Sequence, residues 1–251
     1  MSVNSKMTAI ADAIREKTGG TDALTLDGMA AAIPDVFSAG EKSAYDAFWD
    51  SYQDNGSRTQ YAGAFAGGGW TSENFKPKYD MDCVGTCSYM FYYSGISGDL
   101  VQLLVSLGVT LDFSKSTALH GLFNSAPSIT RVGIIDITAA GASCSSLFNS
   151  AKVETIDKLV VSEKNVPNSW FYGCGKLKNL EIEGTIANNG FDVHWSTKLS
   201  RDSIISIVNA LSDTTSGMTV TFSQTAVDAA FTDDEWAALI ATKPNWTFTL
   251  A

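Results

Sequence analysis

One pattern of apolar and polar positions recurs four times in the middle of the chain. A bulky apolar residue precedes a Phe, a Tyr or Asn follows it, and a small residue stands three positions after it. The pentapeptide LFNSA occurs twice, at 122–126 and 147–151. Because one such unit is too small to bury its own apolar face, the pattern predicts a stack of neighbouring units. The four residues, at spacings of 32, 25 and 23, are Phe91, Phe123, Phe148 and Phe171.

A second pattern follows each of the last three Phe residues, with apolar side chains at positions i, i+3 and i+5. The last two positions of each set alternate as they do along a strand. Each unit is therefore predicted to be a Phe-anchored turn of helix, a loop and a short strand with its apolar residues inward. The three sets are Ile129, Val132 and Ile134; Ile156, Leu159 and Val161; and Leu177, Leu180 and Ile182.

Helical spacing dominates the chain before these units. Residues 1–36 are predicted to form a hairpin of two short helices, interrupted at Gly19–Gly20 and ended by Pro34. Residues 37–82 combine an aromatic helix over 40–56 with an irregular connector. The apolar face of the hairpin, which we expect to dock onto a partner, consists of Met7, Ile10, Ile14, Leu26, Met29 and Ile33.

The end of the chain alternates between the two periods. A helix capped by Ser200 precedes a strand over 218–222, and a capping box at Thr232 and Glu235 opens a helix before a last strand over 246–250. The predicted segments are thus 1–36, 37–82, 83–198 for the repeated units, and 199–251 for a terminal cap.

Charge and composition argue against several classes of partner. The 251 residues carry a net charge of −10, and only 18% are charged. Nucleic acid and anionic membrane surfaces both attract Lys and Arg, so neither is an expected partner. No apolar run is long enough to span a bilayer, and no signal peptide is apparent after Met1. We therefore expect synthesis in the cytoplasm without export by the usual route and without membrane insertion.

Residues that could carry chemistry are few. The two histidines, His120 and His194, have no neighbouring pattern of metal ligands, and no nucleophile or phosphate-binding motif is present. No enzyme activity, metal or cofactor is expected. Cys87 and Cys144 each stand four residues before a repeated Phe, and Cys174 holds the small position three residues after Phe171. All three are predicted to be reduced and buried at packing positions of the units.

Two resemblances follow from these segments. The run from Phe123 to Gly184, with LFNSA twice and WFYGCGKLKNLEIEG, resembles the BspA-like leucine-rich repeats of surface and adhesion proteins. The stretch MTAIADAIREKTGGTDALTLDGMAAAI, with YDAFWDSYQDNG and the terminal segments, resembles structural proteins of tailed phages and prophages of Gram-positive gut bacteria. The implied fold class is α+β, a short leucine-rich-repeat solenoid with an N-terminal helical anchor and a C-terminal α/β cap.

These resemblances imply a non-enzymatic virion surface protein of a tail tip, baseplate or fibre. Its helices would attach to other virion proteins or to copies of itself, and its repeats would meet a host-surface glycan or protein. Structural decoration of a head or tail, a bacterial adhesin and a tail-borne glycan hydrolase remain alternatives. The candidate ligand-binding residues are Tyr92, Tyr93, Tyr172 and Trp195.

Overall fold

The computed structural model describes residues 61–77 and 80–251, together with Asp12 and Glu16, which are helical and exposed. The chain divides into two units, Met1–Gly56 and Ser57–Ala251, and almost all described residues belong to the second. Apart from Asp12 and Glu16, the helices predicted within 1–36 and the helix predicted over 40–56 lie outside the described residues.

Short strands and helices alternate along the described part. The strands are β1 Met81–Asp82, β2 Gly85–Thr86, β3 Gly98–Asp99, β4 Leu111–Asp112, β5 Ser116–Ala118, β6 Ile129–Asp136, β7 Thr155–Val161, β8 Asn179–Gly184, β9 Phe191–Asp192, β10 Met218–Phe222 and β11 Trp246–Leu250. The helices are α1 Leu100–Leu107, α2 Arg201–Ala210, α3 Gln224–Ala230 and α4 Asp233–Ile240, with a 3-10 turn at Thr138–Ala140.

Every strand pairing between these elements is parallel. The largest sheet has the order β3-β6-β7-β8, and a second sheet has the order β11-β10-β9. Two further pairs, β1 with β4 and β2 with β5, form separate two-stranded sheets.

The fold class predicted from the sequence is wrong. The described structure is α/β, with several parallel sheets and four helices among the described residues, not the predicted α+β leucine-rich-repeat solenoid with a helical anchor and a cap. The strands of the repeated units, β6, β7 and β8, do share one sheet with β3. The remaining strands pair in three further parallel sheets, which the local spacing of apolar residues does not specify.

Stacked Phe residues form the core beside the main sheet. The rings of Phe91, Phe123, Phe148 and Phe171 are fully buried, with centroids 5.0, 5.4 and 5.7 Å apart and interplanar angles of 2–4°. The predicted stacking of the last three is confirmed. Phe65 continues the stack, 5.5 Å from Phe91, although no unit was predicted around it.

Five turns carry these Phe residues: turn 1 (61–67), turn 2 (88–94), turn 3 (120–126), turn 4 (145–151) and turn 5 (168–174). They are hydrogen-bonded turns and not the predicted turns of helix. Neighbouring turns are joined by backbone bonds, such as Phe91 N to Leu122 O at 2.9 Å and Phe123 N to Leu147 O at 2.7 Å. The turns are therefore stacked in register, one above the next.

The inward positions of the strands differ in one place from the prediction. Val132 and Ile135 are buried in β6, whereas Ile134 is 61% exposed. The pairing explains this, because Val132 lies opposite Ile156 and Ile135 opposite Leu159. In β8 the spacing shortens to Leu180 and Ile182, and a register shift in β7 takes up the extra residue.

The C-terminal elements that the sequence predicted are present in the structure. Ser200 caps α2, and Thr232 and Glu235 form the capping box of α4. Helix α2 also protects the edge of the main sheet, since the hydroxyls of Ser203 and Ser206 accept the N–H groups of Leu180 and Ile182 at 2.8 Å. Helices α1 and α3 were not predicted. No helix of the described residues is long and apolar enough to cross a membrane.

Candidate functional site

Each of the five turns holds two residues in the left-handed conformation, at the second position before and the second position after its buried Phe. In turn 1 both are glycines, Gly63 and Gly67. In turn 4 both are serines, Ser146 and Ser150. Turns 3 and 5 each combine one glycine with one serine. Turn 2 alone among the five has tyrosine at both positions, with φ of 59° at Tyr89 and 53° at Tyr93.

This use of tyrosine is unfavourable for the backbone. A left-handed L-residue costs about 1–2 kcal/mol, and glycine avoids most of that cost. Burial of the rings does not offset this cost, because Tyr89 is 49% and Tyr93 58% exposed. Strained positions of this kind are associated with function when nothing in the packing requires them.

The aromatic side chains of turn 2 form an exposed cluster. Tyr92 stands between the two strained tyrosines, with its ring 5.9 Å from that of Tyr89 and 6.4 Å from that of Tyr93. The ring of Tyr89 lies over Gly121 of the next turn, where an added Cβ would come within 2.5 Å of it. Gly121 therefore provides the space in which this ring lies.

A second exposed aromatic pair lies at the far end of the stack. Tyr172 of turn 5 and Trp195 have ring centroids 5.2 Å apart, and His194 lies 4.8 Å from Trp195. Tyr92, Tyr93, Tyr172 and Trp195, the residues proposed from the sequence, are 42%, 58%, 52% and 41% exposed. All four thus reach the surface; Tyr89 was missed, although its place two residues before Phe91 was readable in the sequence.

Backbone bonds place these two clusters on one surface. Tyr93 N donates to Asn124 O at 3.0 Å, Ser125 N to Asn149 O at 2.7 Å, and Ser150 N to Tyr172 O at 2.6 Å. Tyr92 and Tyr172 are therefore three turns apart, which at a spacing of about 4.8 Å between neighbouring turns is roughly 14 Å. Asn124 and Asn149 occupy the equivalent place in the intervening turns. We call this surface, formed by the outer residues of turns 1–5, the turn edge.

The turn edge is uncharged along its length. The five turn sequences contain no Asp, Glu, Lys or Arg. Hydroxyl and amide groups supply its polarity; for example, Ser125 Oγ donates to Asn124 Oδ1 at 2.8 Å and Ser150 Oγ to Asn149 Oδ1 at 2.9 Å. These bonds orient the two amides and leave their NH₂ groups available as donors.

A cleft of about 380 Å³ opens beside Tyr172 at the end of the turn edge. Polar side chains of Asn168, Asn189, Asp192, Thr219 and Thr221 contribute to its lining. Asp192 Oδ1 lies 2.6 Å from His194 Nδ1 and also accepts the backbone N–H of His194 at 3.0 Å. The cleft thus combines one exposed aromatic wall with amide, hydroxyl and carboxylate groups.

The outer face of the main sheet has the opposite character. Arg131 makes two bonds to Asp157, at 2.8 and 2.9 Å, and one to Asp99 at 3.2 Å. Lys158 pairs with Glu183 at 2.6 Å and with Glu181 at 3.2 Å. We call these side chains the charged face.

A groove of about 440 Å³ lies between β8 and α2 next to the charged face. Asp157, Glu181 and Asp202 line it. The first two are engaged by Arg131 and Lys158, so their oxygens already serve in ion pairs.

The four thiols are buried and carry no disulfide, as predicted for three of them. Burial raises the pKa of Cys174 to about 12. A hydrogen bond with Cys83 lowers the pKa of Cys87 to about 7, whereas burial raises the pKa of Cys83 itself. In the part of the chain that the structure describes, no three His, Cys, Asp or Glu side chains are grouped so as to hold a metal ion.

The predicted partner-docking residues lie outside the described residues, so the structure does not place Met7, Ile10, Ile14, Leu26, Met29 or Ile33. Comparison of the chain with protein-family models, with curated proteins and with solved structures gives no match.

Proposed function

We propose that the protein is a non-enzymatic surface component of a tailed-phage virion that binds the host envelope through the turn edge. The observation that carries the binding role is the row of exposed aromatic side chains, two of them in strained left-handed positions. Monomeric proteins rarely expose contiguous aromatic surface unless it serves an interaction. The virion assignment depends on the resemblance of the terminal segments to tailed-phage structural proteins. In the same proposal, residues 1–36 attach the chain to other virion subunits or to copies of itself.

The binding role is tested with cell-wall sacculi of a Gram-positive host. The purified full-length protein should sediment with the sacculi at saturable stoichiometry. An absence of sedimentation with sacculi from any permissive host would contradict the binding role and leave structural decoration. Release of reducing sugar from the sacculi would instead support the hydrolase alternative.

The virion assignment has a separate test. Antibodies against the full-length protein should label one structure on intact phage particles in electron micrographs. A variant that lacks residues 1–36 should no longer be incorporated into particles. Labelling of the bacterial surface in cells that carry no phage would support the adhesin alternative.

A further inference from the structure

The occupants of the left-handed positions point to a specific ligand site on the turn edge. Turn 4 shows that serine is tolerated at both positions, and turn 1 shows that glycine is. Tyrosine at both positions of turn 2 is therefore not needed to close the turn. Its rings are half exposed, so the core does not require them either.

The arrangement of the rings limits what can bind. Tyr89, Tyr92 and Tyr93 group three partly exposed phenol rings at one end, and Tyr172 with Trp195 groups a phenol and an indole ring three turns away. Between them stand Asn124 and Asn149, whose amides both donate and accept hydrogen bonds. The complementary ligand is a chain of flat units that have an apolar face and a hydroxyl rim and repeat along the stack.

The charge of the surface limits the ligand further. The turns contain no cation for a phosphate and no carboxylate for a basic peptide. A peptide strand would need free backbone groups, but neighbouring turns use theirs to bond one another, as Gly67 N does to Tyr92 O at 2.8 Å. The edge of β8 is likewise covered by Ser203 and Ser206.

We infer that the turn edge binds a neutral polysaccharide that lies along the stack of turns. One sugar rests on Tyr89, Tyr92 and Tyr93, and another rests on Tyr172 and Trp195. Asn124 and Asn149 bond hydroxyl groups between them, and the cleft beside Tyr172 receives a chain end or branch. This inference depends on the proposed envelope-binding function and names its ligand class and site.

The ligand class is tested by chemical treatment of Gram-positive sacculi. Periodate, which cleaves the vicinal diols of sugars, should abolish sedimentation of the full-length protein with sacculi. Alkaline removal of phosphodiester-linked teichoic acid should leave it unchanged. Binding that survives periodate but not alkali would overturn the neutral-polysaccharide assignment while envelope binding stands. No binding to untreated sacculi would reject both proposals together.

The site is tested by a double substitution, Tyr89→Ser with Tyr93→Ser, which gives turn 2 the serine pair of turn 4. We expect an unchanged or higher Tm and at least a tenfold weaker affinity for untreated sacculi. Trp195→Ser at the other end should also weaken binding tenfold, and it tests the site even if the double variant fails to fold. The matched control is Val105→Ser, which removes an exposed apolar side chain from α1, outside the five turns. Wild-type affinity in a folded double variant, or in Trp195→Ser, would overturn the inference.

Discussion

The turn edge and the charged face belong to the same stack of parallel units, but their exposed side chains interact in different ways. On the charged face, side chains from neighbouring strands pair with each other, as Arg131 of β6 does with Asp157 of β7. On the turn edge, backbone hydrogen bonds join neighbouring turns, and the turns contain no charged side chains that could form ion pairs. The side chains of the charged face thus pair with one another, whereas the aromatic and amide groups of the turn edge remain available to a ligand.

The two surfaces also differ in what they contribute to stability. Exposed ion pairs contribute little, typically 0–1 kcal/mol, because water screens them. The turns of the turn edge are stabilised mainly by the fully buried Phe stack that lies beneath them. A substitution inside the stack should therefore have a larger effect than any substitution on either surface.

The largest expected effect is that of Phe148→Ala, in the middle of the stack. The ring is fully buried between Phe123 and Phe171. Its removal leaves a cavity and should lower the free energy of unfolding by about 3–5 kcal/mol. Denaturant unfolding measures the change, and Tyr172→Ala, on the surface of the next turn, is the control, with a small effect. Stability close to wild type for Phe148→Ala would show that the stack does not hold the fold together.

Local patterns were sufficient to predict the stacking from Phe123 to Phe171 and the C-terminal elements other than α3. The spacing from Phe123 to Phe171 identified repeated turns, and Ser200 and Thr232 marked the starts of α2 and α4. Phe65 was missed because Ala64 stands where the other turns place a bulky residue. Ile134 was wrongly assigned inward because strand register depends on the partner strand, and a shift by one residue reverses the face.

Long-range pairing could not be predicted in the same way. The two-residue strands β1–β4 contain too few residues to show any period, so the division into several parallel sheets was not evident. The candidate site was predicted in part, since Tyr92, Tyr93, Tyr172 and Trp195 are exposed. The strain at Tyr89 and Tyr93 could not be seen, because a left-handed φ at a tyrosine has no signature in sequence.

The next prediction separates the strain of a left-handed position from the space that a ring needs. Gly121→Ala and Gly63→Ala change equivalent glycines with φ of 57° and 66°. An added Cβ at Gly121 would meet the Tyr89 ring at 2.5 Å, whereas nothing lies within 4 Å at Gly63. We expect losses of about 2 kcal/mol for Gly121→Ala and about 1 kcal/mol for Gly63→Ala in denaturant unfolding. Equal losses would mean that the Tyr89 ring moves away without cost.

The buried thiol of Cys174, the last residue of turn 5, predicts that stability depends on alkaline pH. Burial raises the pKa of Cys174 to about 12, above the value of about 8.5 expected in the unfolded chain. The unfolded state therefore loses its proton first, and stability falls as pH rises from about 8.5 to about 12, by at most ~1.4 kcal/mol per pH unit. The Cys174→Ala variant should show a correspondingly shallower loss between pH 8.5 and 10. Parallel curves for the two proteins would contradict the raised pKa.

On the charged face, a double-mutant cycle of Arg131→Ala and Asp157→Ala should give a small stabilising coupling at low salt. The two bonds from Arg131 to Asp157 favour a measurable coupling, and the partial exposure of both side chains limits it. The coupling should shrink in 1 M NaCl, where the screening length is about 3 Å. Sedimentation with sacculi should not change with salt, because the turn edge is uncharged. A loss of sedimentation at high salt with an unchanged coupling would reverse the comparison between the two surfaces.

The smallest expected effect concerns the left-handed serines. Ser146 has φ of 56°, and Ser146→Gly removes the steric conflict of its Cβ while it increases the freedom of the unfolded chain. Because these two effects oppose each other, we expect the free energy of unfolding to rise by only about 0.5 kcal/mol. Ser125→Gly at φ of 55° should gain less, because it also loses the 2.8 Å bond from Ser125 Oγ to Asn124 Oδ1. Thermal unfolding of both variants resolves the order. A greater gain for Ser125→Gly would show that this bond contributes nothing, and Asn124 would then be free to reorient when a ligand binds.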